Sequence, residues 1–408
     1  MNPGIESISM YIPRYGLDLH DLARARNVDY AKYHQGIGQE YMAVPAPDED
    51  VVTLGTNAAR QALQNVDRSE IRTVIFATES GVDQSKAAAI YAHKLLGLPA
   101  NCRTVEMKQA CCSSTSALHF GLSTVAMHPE QKVLIIAADI ARYGLGSAGE
   151  PTQGGGAVAM VLSADAKILR IDPHVGYYTE DVMDFWRPNY RDEALVDGKY
   201  SIKVYLNALE NAWKHYKDDS GAGFTDFAHF CYHLPFSRMG LKAHLHLARH
   251  ENAGLGAKEL QAQVEPSLAY NRRIGNAYTA SLYMGLLSLL ETGPKNLTGK
   301  RIGLFSYGSG CMGAFFGGKV IEGYRQHLHT HLHQDLLDNR QNLTLAEYED
   351  FYNHVLPATG ETYRTDRHRT GSFRIAGIEN HQRLYEPVPS MRIMAADAAE
   401  ARVAAPAV

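Results

Sequence analysis

A cysteine at the start of a buried helix can act as a nucleophile, and the run Glu106-Met107-Lys108-Gln109-Ala110-Cys111-Cys112-Ser113-Ser114-Thr115-Ser116-Ala117-Leu118 presents one. A strand-like stretch breaks there into small residues and then into helical spacing. Ala117, Leu118, Gly121, Leu122, Val125 and Ala126 fall on a face too small and apolar to be solvated. The unpaired N–H groups and positive dipole end of such a helix favour thiolate over thiol, so Cys111 is expected to accept an acyl group from a thioester. The competing reading makes Cys111 and Cys112 two small hydrophobic residues in a tight core turn.

Two further groups stand where strands should end. Residues 71–77 are a continuous apolar run of the kind found in buried strands, and Thr78-Glu79-Ser80-Gly81 follows it. Ligands collect at strand ends in layered α/β folds, which makes Glu79 a candidate acid or base against the plainer reading of a solvated loop glutamate. Residues 227–232 are again strand-like and run into His233-Leu234-Pro235-Phe236. A lone histidine is often structural. Together the three types suit one chemistry: a thiolate takes an acyl group, a carboxylate removes a proton from the acyl methyl, and a histidine polarises the carbonyl that the carbanion attacks.

The elements that must position these groups alternate between strand and helix. Helical spacing covers residues 50–64 and 85–96, buried-strand runs cover 132–139 and the stretch after Gly154-Gly155-Gly156, and residues 41–44 are mixed and expected at the surface. The glycines lead into a strand and lack GxxxxGK[ST], which excludes a phosphate loop. Residues 177–199 are polar and aromatic, an irregular excursion able to wall a pocket. A helix over 200–216, an apolar helix from Asn276 through 290, and a strand over 301–306 closing on Tyr307-Gly308-Ser309-Gly310 repeat the vocabulary of the first half. His327, His329, His331 and His333 invite a metal, but no cysteine or acid converges on them in sequence and none is expected. The alanine-rich tail from 395 to 408 is expected to fray.

Composition narrows the class. With 408 residues, 45% apolar, 21% charged and a formal net charge of −4, the chain has room for a large core and no excess positive charge for nucleic acid. No basic region followed by an apolar run opens it, and no eighteen apolar residues are consecutive, so a soluble cytoplasmic protein is expected, with no membrane partner. Five scattered cysteines make no disulfide framework.

Seven ordered motifs carry a resemblance: Thr78-Glu79-Ser80, Gln109-Ala110-Cys111, Gly149-Glu150-Pro151-Thr152-Gln153-Gly154, Asp184-Phe185-Trp186-Arg187-Pro188, His233-Leu234-Pro235-Phe236, Gly275-Asn276 and Phe305-Ser306-Tyr307-Gly308-Ser309-Gly310. From about residue 4 to about residue 385 the chain resembles the 3-hydroxy-3-methylglutaryl-CoA synthase family. The resemblance implies an α/β thiolase-like fold with two duplicated halves in five αβαβα layers, here 1–165 and 166–395, in a homodimer. It implies that Cys111 is acylated, Glu79 is the general acid/base and His233 holds the acceptor carbonyl. Thr152, Asn276 and Ser306 would line the acyl pocket with Tyr143, Asp184 and Phe185, while Asp83 and Asp139 would be supporting carboxylates. Lys242 would meet the thioester carrier, with Arg238 and Arg249 at helical spacing beside it. No metal or bound cofactor is implied. The substrates would be acyl thioesters of coenzyme A or of an acyl carrier protein, and hydrolysis would release a 3-hydroxy-3-methylglutaryl-type product. One departure is Cys112, where the family usually has tyrosine.

Within the family, Ile171-Asp172-Pro173, Gly176-Tyr177-Tyr178 and Val182-Met183-Asp184 are similar to the synthases of polyketide β-branching, which take both substrates from carrier proteins. Mevalonate-pathway enzymes, which use acetyl-CoA and acetoacetyl-CoA, commonly have tyrosine at the place of Met183 and are the alternative. A decarboxylative ketoacyl synthase would want a second histidine or asparagine in place of Glu79, and a non-catalytic relative would have lost one of Cys111, Glu79 or His233.

Overall fold

The structure, a computed structural model, describes residues 2–388, so the tail expected to fray lies outside the described residues. Its frame is a nine-stranded sheet. In chain order the strands are β1 (Gly4–Tyr11), β2 (Ile71–Ala77), β3 (Arg103–Met107), β4 (Lys132–Ile140), β5 (Gly155–Ser163), β6 (Leu169–Thr179), β7 (His229–Tyr232), β8 (Arg301–Gly308) and β9 (Met312–Val320). In space they run β7-β8-β9-β6-β1-β5-β4-β2-β3. The seam between β6 and β1 is short, pairing only Gly4 with Arg170 and Ile5 with Leu169, so two half-sheets meet there.

Helices sandwich each half-sheet. They are α1 (Val51–Ala62), α2 (Ala88–Leu96), α3 (Ser113–Met127), α4 (Gly198–Ser220), α5 (Arg238–His250) and α6 (Ser281–Thr292). Adjacent residues of β4 show the layering, because successive side chains of a strand point to opposite faces. Ile136 crowds Gly55 of α1, whereas Ile135 crowds Gly121 of α3. Across the other half-sheet α4 packs on β6, β9 and β8 while α6 packs on β7 and β8. Helices α3 and α6 share the middle, tied by Thr115 to Tyr283 (2.8 Å between hydroxyls), and Ser114 Oγ donates to Thr279 O, in the turn before α6, at 2.6 Å. The result is the expected five layers, with α1 and α4 outside.

Strand direction then collects the chemistry. β2 is parallel to both β3 and β4, and β7 is parallel to β8, so carboxyl ends gather within each half. Glu79, Gln109-Ala110-Cys111 and Asp139 come from the first set. His233 and Ser306 come from the second.

Several expectations change on folding. Tyr41–Val44 is a strand between Tyr15–Asp18 and the core, with Met42, Ala43 and Val44 buried; its short apolar run is too brief to signal a strand by alternation alone. The excursion over 177–199 begins as the end of β6 and then makes a small hairpin, Phe185–Trp186 with Leu195–Val196. The hairpin of Phe373–Glu379 and Gln382–Pro387, late in sequence, lies against α1 and α2 of the first half. Of the histidine run, His333 is fully buried, paired with Glu291 at 2.7 Å and with Ser9 Oγ at 2.9 Å. Among the described residues no group of three histidine, cysteine, aspartate or glutamate side chains could hold a metal ion.

Candidate functional site

The chain reaches Cys111 through a sharp turn. Ala110 takes φ 42°, the Cys112 N–H donates to Gln109 O at 3.0 Å, and Ser113 Oγ donates to Ala110 O at 2.6 Å while accepting from the Gln109 N–H at 2.5 Å. A left-handed alanine costs free energy and persists here because those three bonds enforce it. The turn sets Cys111 ahead of α3 with its thiol donating to Glu79 Oε1 at 3.1 Å. Cys112 turns instead into the core, fully buried beside Ser306, and burial pushes its thiol up to about 11. At the end of β8, a Cβ on Gly308 would lie 2.4 Å from Gln109 O and 2.8 Å from Cys112 Cβ, so only glycine lets the two halves close on this turn.

Glu79 is held by its backbone. Its N–H and the Thr78 hydroxyl both donate to Asp139 Oδ1 at 2.9 Å, while Thr279 donates N–H and hydroxyl to Asp139 Oδ2 at 3.1 and 2.5 Å. Asp139 is fully buried and ties the end of the first half-sheet to the turn that leads into α6. Burial first, and then the nearby Asp139, push the Glu79 carboxyl up to about 8; the Cys111 hydrogen bond and the Arg187 guanidinium oppose this. Arg187 also donates to Glu79 O. Burial and the neighbouring Glu79 raise the Cys111 thiol well above its ordinary range. The expected thiolate is therefore corrected. Helix α3 begins at Ser113, one residue beyond the cap position Cys112, and its dipole does not outweigh desolvation and an adjacent carboxylate at Cys111. The resting pair is a thiol hydrogen-bonded to a carboxyl.

His233 follows β7. Its N–H donates to Phe305 O at 2.8 Å and its carbonyl accepts from the Tyr205 hydroxyl at 2.9 Å, which places it beside Ser306. The imidazole is buried, and burial pushes it down to about 3, so it is neutral with one N–H to donate. Its Nδ1 has no partner among the described residues, an orphaned polar atom that suits a ligand.

The other expected residues divide. Tyr143, Phe185 and Ala141 pack with Tyr278 around Cys111, the rings of Phe185 and Tyr278 meeting edge-on at 5.7 Å, and form an apolar acyl wall. Thr152 is half-buried, its hydroxyl donating to Gly149 O at 2.7 Å, and its carbonyl accepts from the Asn276 N–H at 3.0 Å. Asn276 Oδ1 accepts from the Tyr278 N–H at 2.9 Å and Ser281 Oγ at 3.0 Å, building the approach to α6. Asp184 is not free for substrate. Fully buried, it accepts from Tyr307 Oη at 2.6 Å, Ser201 Oγ at 2.9 Å and Gly310 N at 2.9 Å, and so anchors the hairpin that carries Phe185. Asp83 is exposed and accepts from the N–H groups of Ser85 and Lys86, at 2.8 Å each; it caps a turn outside the site. Lys242 is exposed on α5 and takes no part in the site's hydrogen bonding, whereas Arg238 lines a separate cleft with His34, Glu40 and Arg272. Arg187 and Tyr278 were not foreseen. Arg187 stands inside the Asp184-Phe185-Trp186-Arg187-Pro188 motif, which was the available signal.

Comparison with known proteins agrees across the chain. Residues 1–167 match the family described as hydroxymethylglutaryl-coenzyme A synthase N terminal, and residues 170–253 and 246–368 match its C-terminal counterpart. The hydroxymethylglutaryl-CoA synthase of Enterococcus faecalis is 42% identical over 389 residues, covering 94% of this chain and all of that protein. The polyketide biosynthesis 3-hydroxy-3-methylglutaryl-ACP synthase PksG of Bacillus subtilis is 36% identical over 373 residues, 86% of this chain and 87% of that protein. Among solved structures, an HMG-CoA synthase complexed with CoA superposes with TM-score 0.91 at 39% identity, and the curacin-pathway HMG synthase in complex with holo donor-ACP with TM-score 0.88 at 32% identity. Each covers 95% of this chain and all of the other. The chain thus belongs to the hydroxymethylglutaryl-CoA synthase family, acyl-transferring condensing enzymes on a thiolase-like fold.

Proposed function

We propose that the protein condenses acetyl-CoA with acetoacetyl-CoA and hydrolyses the adduct to 3-hydroxy-3-methylglutaryl-CoA. The contact that carries this reading is the 3.1 Å hydrogen bond from Cys111 to Glu79. As the sulfur attacks the acetyl thioester, Glu79 in its ionised form takes the thiol proton and returns it to the departing coenzyme A thiolate. Glu79 then removes a proton from the acetyl methyl, and the carbanion adds to the ketone carbon of the second thioester. The neutral His233 donates a hydrogen bond to that ketone oxygen, and Glu79 returns the proton to the new alkoxide. Finally water adds to the acyl-cysteine carbonyl, one of its protons passing through Glu79 to the Cys111 sulfur and the other going from the new carboxylic acid to solvent, and the free carboxylate leaves. Tyr143, Phe185 and Tyr278 keep bulk water from the acyl group, and Thr152, Asn276 and Ser306 frame it.

Coenzyme A rather than a carrier protein is favoured by the 42% identity, over its whole length, to a relative named for CoA, against 36% to one named for ACP. The carrier-protein reading rests on the runs Ile171-Asp172-Pro173, Gly176-Tyr177-Tyr178 and Val182-Met183-Asp184, and Met183 among them is 66% exposed. We further propose that the enzyme works as a homodimer. Incubation with acetyl-CoA followed by intact mass measurement should show one acetyl group gained, and adding acetoacetyl-CoA should release it as product. A protein acetylated only by acetyl carrier protein would move the assignment to β-branching. A protein that gains no acetyl group from either donor would remove the condensing role.

A further inference from the structure

Next to the acyl wall, a cavity of about 170 Å³ is lined by residues 42–47, Glu49, Asp50, Ala141, Arg142, Gln153, Tyr352, His354 and Arg383 among others. Arg142 reaches it from between Ala141 and Tyr143, the two residues that pack on Cys111. Its guanidinium lies 3.9 Å above the Tyr352 ring, whose hydroxyl also reaches Glu193 Oε1 at 3.4 Å, and among the described residues no carboxylate forms a salt bridge with Arg142. Two donor-capable atoms, Arg142 Nε and His354 Nε2, are buried without a partner among the described residues, which is costly unless something accepts from them.

The remaining charges on the cavity do not neutralise Arg142. Arg383 is paired with Asp50 Oδ2 at 3.2 Å, and that carboxylate also takes the Tyr385 hydroxyl and caps α1. Glu49 accepts from the Tyr11 hydroxyl and the Ala46 N–H, and burial pushes its carboxyl up to about 8, so it carries little of a full negative charge at neutral pH. A cavity of about 150 Å³ takes a benzene-sized molecule. A short carboxylate or a phosphate is of that order, and a planar fork of N–H donors over an aromatic ring suits an oxyanion.

We propose that this cavity binds a small oxyanion, a short-chain carboxylate or inorganic phosphate, through Arg142 and His354. The occupant acts on the acyl wall from the cavity beside it. The Tyr352 hydroxyl donates to Tyr143 O at 2.8 Å and Gln153 Oε1 accepts from the Tyr143 N–H at 2.7 Å, so two cavity-lining side chains grip the backbone of a residue that faces Cys111. An anion that fixes Arg142 on Tyr352 therefore stabilises Tyr143 in place. This is independent of which thioester the enzyme uses.

The test is binding of sodium acetate and of sodium phosphate to the full chain at constant ionic strength, with sodium chloride as reference, read by calorimetry and thermal shift. Wild-type protein should be stabilised by acetate, by phosphate or by both beyond chloride. Acetate alone would identify a carboxylate site, phosphate alone a phosphate site. Arg142→Gln and His354→Ala should each weaken Kd by about tenfold. If Arg142→Gln does not fold, His354→Ala decides. No effect beyond chloride in the wild type, or undiminished affinity in the variants, which would put the anion elsewhere, for instance beside Cys111, overturns the proposal.

Discussion

A thiol and a carboxyl in contact serve each other as acid and base, and Cys111 with Glu79 is such a pair. Cys111→Ser should abolish acetyl uptake from acetyl-CoA, whereas Cys112→Ser should retain it, because Cys112 faces Ser306 in the core; intact mass after incubation separates them. These residues were legible in sequence because each ends a strand or starts a helix, where side chains must face a ligand. Asp83 misled because a carboxyl in a tight turn finds neighbouring N–H groups first, and sequence does not say which way it points. Arg187 gives the pH test. Glu79 works as a base when ionised, and its carboxyl, already raised to about 8, is held down by Arg187. Arg187→Met removes the stabilising cation, so ionisation needs a higher pH and the ascending limb of the condensation rate should move to alkaline pH, with about tenfold less activity at pH 7. Arg187→Lys should recover most of it. An unmoved limb would leave Arg187 only a fastener of the hairpin.

At the scale of elements, the late hairpin is the part that sequence patterning could not place. Its strands alternate plausibly, but what they cover is set by ion pairs between residues more than 300 positions apart. Arg374 is buried and donates Nε to Asp48 Oδ2 at 2.9 Å, Nη1 to Glu386 at 3.0 Å and Nη2 to the carbonyls of Thr365 and Asp366; Asp48 itself is wholly buried. Arg383 and Tyr385 of the second strand grip Asp50, the cap of α1. Removing one partner of a buried pair strands the other charge. Arg374→Met is therefore expected to cost about 3–5 kcal/mol in denaturant unfolding, and a double variant with Asp48→Leu should recover part of that loss. The strands carrying Glu79 and His233, by contrast, announced themselves as continuous apolar runs because both of their faces are covered.

At the scale of the whole molecule, the layered order was foreseen from the family resemblance, and what composition left open is the sheet's free end. β3 closes the order with only β2 beside it, and its burial alternates between exposed and half-buried, with Val105 38% exposed. An edge strand with unpaired N–H and C=O groups invites a second strand. On α3, whose Thr124 receives a hydrogen bond from Arg103 of β3, Phe120 and Met127 share a face with Thr124 and are 62% and 76% exposed. Large apolar side chains on that helix face beside a bare strand edge are best covered by a second copy, edge to edge about a two-fold axis, which would extend the sheet across both protomers. Sedimentation should then find a dimer for the wild type. Val105→Lys with Met127→Glu should shift it to monomer, since charges would face their own copies across the axis, and a monomeric wild type at micromolar concentration would show that this edge stays bare.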